Sequence, residues 1–381
     1  MEFDGSQIQN AIYVSGDSPG PVAFAEWEAR AAEVLEPGPL GYIAGGAGAE
    51  DTMRSNRAAF ERRRLRPKML TGNATRDLSV EILGTRSPVP FFLAPVGVLS
   101  IAHPDGELAV ARAAAALGIP IVLSSAASHS MEEVAESQGP RWFQLYWVSD
   151  REVCGSLVDR AAAAGYEAIV VTVDTLTLGW RPRDLAHAYL PFREGEGIGQ
   201  FTSDPVFLEK LAVPPEEDVL VAAGTMLGMF PNLALGWDDL AWLRDRTELP
   251  ILLKGILRGD DASKAFELGV DGIVVSNHGG RQVDGSIAAL DALVEVRAEV
   301  GREPLVLMDS GIRSGADVVK ALALGADAAL IGRPYVYGLA AGGQEGVETV
   351  LRHLAAETDL TLALMGVASV RELDSTWIAE S

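Results

Sequence analysis

The stretch Ser276-Asn277-His278-Gly279-Gly280-Arg281 puts an imidazole directly after an apolar run, two glycines behind it, and a guanidinium three residues on. Glycines let backbone approach a ligand closely, and an arginine grips a carboxylate through two parallel hydrogen bonds. A base beside a carboxylate clamp is what proton removal from a 2-hydroxy acid requires. None of His103, His129, His187 and His353 has a comparable setting. Asp174, in Thr172-Val173-Asp174-Thr175, stands where it could orient that imidazole and stabilise its protonated form, or else cap a helix. Lys254, one of five lysines, ends the apolar run Ile251–Leu253. It suits a fixed charge facing an anionic cofactor, a Schiff-base amine, or a side chain snorkelling from a strand end.

Two further segments suit a phosphate. Asp309-Ser310-Gly311-Ile312-Arg313 runs into a helix start, whose free N–H groups attract anions, and Ile331-Gly332-Arg333 repeats the idea. Neither a P-loop nor a dinucleotide-binding glycine motif after a strand is present. With 31 Lys plus Arg against 53 Asp plus Glu the chain carries a net charge of −22. That balance argues against nucleic-acid or anionic-membrane partners, both of which need an excess of basic residues. A single cysteine, Cys154, excludes an internal disulfide and a Cys-based zinc site; no metal ligands are assigned. The N-terminal stretch lacks the pattern of a signal peptide, and the longest apolar run, from Phe91 to Ala102, is too short to span a bilayer. A cytoplasmic location is expected.

These residues need elements to hold them. Eight short apolar runs begin near Pro90, Pro120, Arg141, Glu167, Pro250, Gly272, Pro304 and Ala328. They lack in–out alternation, as strands buried on both faces do. Helical patterns fall between them, including Glu107–Leu117, Glu152–Ala164, Asp260–Leu268 and Gly315–Leu324. The alternation predicts an α/β fold, a (β/α)8 TIM barrel, with an N-terminal helical extension and a long lid loop after strand four. As a single domain over 1–380, it divides into an extension at 1–85, a barrel at 86–340, a lid insertion at 184–235 and C-terminal helices at 341–381. The first twenty residues read as an extended arm, Pro21 to Leu35 as a helix and Gly41–Gly48 as a turn. From Arg183 to Asn232 periodicity is weak. In such barrels the C-terminal strand ends carry the chemistry, and polar residues crowd there: Ser124, Gln144, Tyr146, Thr172, Asp174, Lys254, Ser276, His278, Arg281, Asp309, Arg313, Gly332 and Arg333. Buried polar groups cost about 1–3 kcal/mol each without partners, so packing alone does not explain the ring.

These motifs in this order resemble the FMN-dependent 2-hydroxy-acid oxidase and dehydrogenase family. The resemblance rests on SNHGGRQVDG at Ser276, GYIAGGAG at Gly41, WFQLYW at Trp142, VTVDT at Val171 and LLKGI at Leu252. LGWRPRDL from Leu178, SDPVF at Ser203 and the long loop that follows are most similar to lactate 2-monooxygenase. The resemblance implies FMN as cofactor, His278 as base and Asp174 as its partner. It further implies Arg181 and Arg281 as substrate-carboxylate arginines, and Tyr42 and Tyr146 as pocket tyrosines bonding carboxylate and hydroxyl. Pro95, Val96 and Gly97, with Ser124, Gln144 and Thr172, would meet the flavin ring, Lys254 its N1–O2 edge, and Ser276 the cofactor. Asp309, Gly311, Arg313, Gly332 and Arg333 would meet the ribityl phosphate, and Tyr189–Pro191 would open the lid. Gly97 stands where peroxide-releasing oxidases usually carry alanine. The implied activity is oxidation of an L-2-hydroxy acid, L-lactate foremost, by O2 with decarboxylation to acetate, CO2 and water; the alternative is an oxidase releasing the 2-oxo acid and hydrogen peroxide. A homotetramer or homo-octamer is implied by the same resemblance. From another class, a phosphate-binding barrel acting as isomerase or ligand sensor shares the phosphate cradle but gives no reason for His278, Asp174 and the arginines together.

Overall fold

The computed structural model describes residues 3–15 and 20–380. Eight parallel strands close into a barrel: Phe91–Leu93, Ile121–Ser124, Arg141–Tyr146, Ile169–Thr172, Ile251–Ile256, Gly272–Val275, Val306–Met308 and Ala329–Ile331. The eighth closes on the first through the pairs Ala329↔Phe91, Leu330↔Phe92 and Ile331↔Leu93. Most strand residues are buried, which is why the runs show no alternation: one face fills the barrel and the other meets the helices. Gly106–Leu117, Arg151–Ala163, Gly259–Glu267 and Gly315–Ala323 flank the strands close to their expected bounds. Their ends follow local chemistry. Ser314 accepts from Asp317 N at 3.2 Å to start one helix, and Gly118, at φ 68°, ends another in a conformation that disfavours a side chain.

The hairpin Val80–Ile82 with Thr85–Ser87 lies at the N-terminal end of the barrel, where Trp142 Nε1 donates to Thr85 Oγ1 at 2.8 Å and Thr85 in turn donates to Glu167. That end is closed by structure, leaving the opposite end for the site.

Three expectations outside the barrel need correction. Residues Gly5–Ser15 form a helix rather than an extended arm, and it packs on the chain's own C-terminal helix, with Gly5 N donating to Asp359 Oδ2 at 2.8 Å. The rest of the expected arm, residues 1–2 and 16–19, lies outside the described residues. Gly41 to Ala44 belong to a helix, Pro37–Ala44, whose first proline is preset for helical φ; the turn begins only at Gly45. The stretch between the fourth and fifth strands carries five short helical pieces and Val219–Met229, an eleven-residue helix capped by Asp218. The helix Arg333–Met365 runs out of the eighth strand and is broken by the non-helical backbone of Gly342 and Gly343. The C-terminal part ends in a strand, Ile378–Glu380, paired antiparallel with Arg63–Leu65.

Candidate functional site

A cleft of about 1060 Å³ opens at the C-terminal ends of the strands. Tyr42, Pro95, Val96, Gly97, Tyr146, Arg181, Lys254, His278, Arg281, Asp309, Gly311, Arg313, Gly332 and Arg333 all line it. Ser124, Gln144, Thr172 and Ser276 do not reach the open space. They are buried in the strand ends around it and hold its wall: Ser124 Oγ donates to Gln144 Oε1 at 2.9 Å, and Lys254 Nζ to Ser276 Oγ at 3.0 Å. Asp174 lies behind His278 rather than in the lining, as a partner residue would.

His278 begins a short turn after the sixth strand at φ 58°, a left-handed backbone uncommon outside glycine. Its N–H donates to Ser276 Oγ at 3.0 Å, while Gly279 N donates to Ser310 Oγ at 2.9 Å, and Ser310 itself sits at φ 76°. Two unusual backbones are thus tied to each other across the cleft floor. The ring's Nδ1 is 2.9 Å from Asp174 Oδ1 and 3.1 Å from Thr175 Oγ1, whose hydroxyl donates to the same carboxylate oxygen at 2.9 Å. An ionised carboxylate only accepts, so Nδ1 carries the proton and Nε2 keeps its lone pair. That Nε2 faces the Tyr146 hydroxyl at 3.4 Å. Burial, joined by the charges of Lys254 and Arg181, moves His278 below the ordinary histidine value despite Asp174. Burial pushes the Asp174 carboxyl up, but His278 and Lys254 outweigh it and hold the group low. The pair is therefore neutral imidazole beside carboxylate at neutral pH.

The arginines are held by backbone carbonyls. Arg281 donates to Tyr42 O and to Gly45 O (3.0 Å) and lies over the Tyr42 ring at 4.9 Å. Burial and the like charge of Arg181 push it down to about 9, so it stays cationic at neutral pH. Arg181 donates from Nε to Arg281 O at 3.0 Å and from NH2 to Gln282 Oε1 at 2.8 Å. Gln282 also donates to the carbonyls of Asp174 (3.0 Å) and Thr177 (2.9 Å), linking the Asp174 backbone to the arginine. Beside Arg281, Arg333 spends its donors on Ile43 O, Gly279 O and the same Gly45 O, and Arg313 donates to Ile312 O. Neither forms an ion pair among the described residues. Burial and the neighbouring Arg333 charge push Arg313 down to about 9. Lys254 does find a carboxylate: Asp309 Oδ2 is 3.0 Å away, and Asp309 with Asp174 keeps it raised against burial. In a chain of net charge −22, this cleft is locally cationic; low-dielectric walls strengthen that field.

Residues 31–380 match the model of the FMN-dependent dehydrogenase family. The chain belongs to that family. This FMN-dependent dehydrogenase is 43% identical over 362 residues to the L-lactate oxidase of Lysinibacillus sphaericus, covering 94% of this chain and 93% of the relative. Against human 2-hydroxyacid oxidase 1 it is 43% identical over 371 residues, with 95% and 98% covered. Among solved structures, mandelate oxidase superposes with a TM-score of 0.84 at 40% identity, covering 95% of this chain and 98% of that one. Membership makes the protein an FMN-dependent oxidoreductase and removes the isomerase and sensor alternatives. The site fits the cofactor on its own terms. Gln144 Nε2, in the wall of the cleft, is a buried donor without a partner, and the half-buried guanidiniums of Arg313 and Arg333, without carboxylates, line the barrel mouth; a flavin ring and a phosphate answer those needs respectively.

Sequence reasoning missed Thr175, Gln282 and Ser310, which act through a neighbour. It also missed Phe230 and Leu178, which wall the cleft. Phe230 packs on Tyr146 with ring centres 5.1 Å apart. Tyr189 stands edge-on to Tyr42 at 6.5 Å and does not line the cleft. Among the described residues no helix is long and apolar enough to cross a membrane.

Proposed function

We propose that the protein oxidises a short L-2-hydroxy acid, L-lactate foremost, with O2 as the final acceptor. The observation that carries this is the cleft in which the His278–Asp174 pair, with Nε2 unprotonated, faces Tyr146 and both Arg181 and Arg281. Arg181, Arg281 and Tyr42 hold the carboxylate; Tyr146 orients the hydroxyl. His278 Nε2 accepts the hydroxyl proton, and Asp174 stabilises the imidazolium so formed. FMN, when bound, supplies the two-electron acceptor that takes the substrate's electrons and yields them to oxygen. Pro95, Val96, Gly97, Ser124, Gln144 and Thr172 would hold its ring, and Lys254 a cation beside its N1–O2 edge, with Ser276 positioning that lysine. Asp309, Gly311, Arg313, Gly332 and Arg333 would hold the phosphate. Phe192 and Phe230 lie on the 184–235 insertion and wall the cleft, as a lid would. If the 2-oxo acid stays beneath them while oxygen reacts, lactate and O2 become acetate, CO2 and water. The family's common homotetramer or homo-octamer is the assembly we infer, and exposed Trp180 and Val283 supply apolar surface for it.

The peroxide-releasing alternative is favoured by relatives named L-lactate oxidase and 2-hydroxyacid oxidase. Anaerobic L-lactate should bleach the yellow holoenzyme; admitting air should restore colour and yield acetate with little free peroxide. Stoichiometric peroxide and pyruvate would select the simple oxidase, and no bleaching would overturn the substrate class.

Two variants follow. A methyl group at Gly97 would lie 2.9 Å from Ala126 Cβ and 3.0 Å from Ala126 O. Since Val98 N also binds Ala126 O at 2.8 Å, the strain is relieved by moving residues 96–97 into the cleft. Gly97→Ala should therefore shrink the space shared by product and oxygen, and the peroxide-to-acetate ratio measured under air should rise. Arg313→Met removes one of two phosphate cations. A charge-assisted bond is worth roughly 1.5–3 kcal/mol, so FMN should bind about ten- to a hundred-fold more weakly, measured by flavin fluorescence on dilution.

A further inference from the structure

Asp184, on the short helix Pro182–Ala186 that follows Arg181, serves neither the His278 pair nor the phosphate cradle. It is 9% exposed, and its Oδ1 is buried without a hydrogen-bond partner. Oδ2 lies 4.0 Å from Arg181 NH1, near enough for attraction and too far for a hydrogen bond. The charges that face it are Arg181 on its own element and Arg281 from the His278 turn. Helix Pro37–Ala44, packed against its helix, contributes Tyr42 and no charged side chain. Arg183 pairs with Glu50 at 2.7 Å instead, and His187 packs against Gly41. A carboxylate buried with one unsatisfied oxygen is costly, and here two nearby guanidiniums offset the cost.

A substrate carboxylate seated on Arg181 and Arg281 would bring a second negative charge to the same two cations. Like charges sharing a site cannot both ionise cheaply, and the buried one sheds its charge by taking a proton. We propose that Asp184 is the built-in counter-charge of the arginine pair and takes up a proton when a 2-hydroxy acid binds, so that it sets how tightly the acid is held. This rests on the assignment of Arg181 and Arg281 as the carboxylate clamp. Asp184 touches no reacting atom; it is a positioning residue acting through the arginines. Burial already holds its carboxyl above the usual range, with Arg281 and Arg181 pulling the other way. While Asp184 is neutral in the empty cleft, affinity is at its maximum. As pH rises and the empty enzyme ionises Asp184, binding must also recruit a proton, and affinity falls by up to tenfold per pH unit.

The test uses FMN-loaded enzyme and oxalate, a non-reacting dicarboxylate, with Kd read from perturbation of the flavin spectrum between about pH 5.5 and 8.5. In the native protein Kd should rise with pH, and calorimetry in buffers of different ionisation enthalpy should show proton uptake. Asp184→Asn should flatten that rise, take up fewer protons and bind oxalate about five-fold more tightly at the alkaline end. With L-lactate, KM should fall while kcat at saturation stays within about two-fold. Equal pH slopes and equal proton uptake in both proteins would overturn the proposal. Should Asp184→Asn not yield folded holoenzyme, His278→Gln decides: continued proton uptake with oxalate supports Asp184, and none rejects it. Undiminished oxalate affinity in Arg281→Lys would instead overturn the clamp on which the proposal rests.

Discussion

His278→Gln should lower kcat about 10³- to 10⁴-fold while the protein stays yellow, because it removes the group proposed to accept the hydroxyl proton. Glutamine fills much of the imidazole's space, and no side chain of the proposed phosphate cradle is changed, so FMN retention separates this loss from misfolding. The native protein's pH profile supplies a second check. The base must be neutral to act, and burial lowers its pKa. Turnover at saturating substrate should therefore be flat at neutral pH and fall only below the ordinary histidine range, as the imidazole becomes protonated. In His278→Gln that acid limb should disappear from the residual rate. A variant with more than a tenth of native kcat would remove His278 from the reaction.

Arg281→Lys should be nearly as damaging, although it preserves the charge. The guanidinium already spends donors on Tyr42 O and Gly45 O and lies over the Tyr42 ring, and its remaining N–H groups are aimed by those contacts. A lysine cannot keep the carbonyls and also present two parallel donors to a carboxylate. The lost bidentate bond, together with a misplaced Tyr42, should cost roughly 3–4 kcal/mol, or about 10²- to 10³-fold in kcat/KM, most of it in KM. Steady-state kinetics with L-lactate measures this, and near-native KM would place the carboxylate elsewhere.

The barrel was legible because its eight strands are short, apolar and regularly interrupted, and periodicity reports burial directly. The candidate site was legible because polar residues stand in strand ends where packing wants apolar ones; His278, Arg281, Lys254 and Asp174 stand out for that reason. Residues that act through others carry no such mark. Gln282 is one polar side chain after a polar motif, and only its contacts with Arg181 and the Asp174 carbonyl reveal its part. The helix Val219–Met229 escaped notice because VLVAAGTMLGM is apolar on every side and holds two glycines, so no stripe appears. Gly5–Ser15 escaped because its anchor, Asp359, lies 354 residues away in sequence from Gly5. Contacts of that kind are written in topology rather than in local pattern.

Gly255 extends the lesson. The fifth strand is irregular between Lys254 and Ile256, Gly255 adopts φ 113°, and a Cβ there would lie 2.6 Å from Asp174 Cβ. Position 255 is thus a mould for Asp174, the proposed partner of the base, though it has no functional group of its own. In a saturation screen every replacement at 255 should score as dead while an antibody or melting assay still finds intact protein. An engineer broadening the substrate range would do well to leave that hydrogen atom alone.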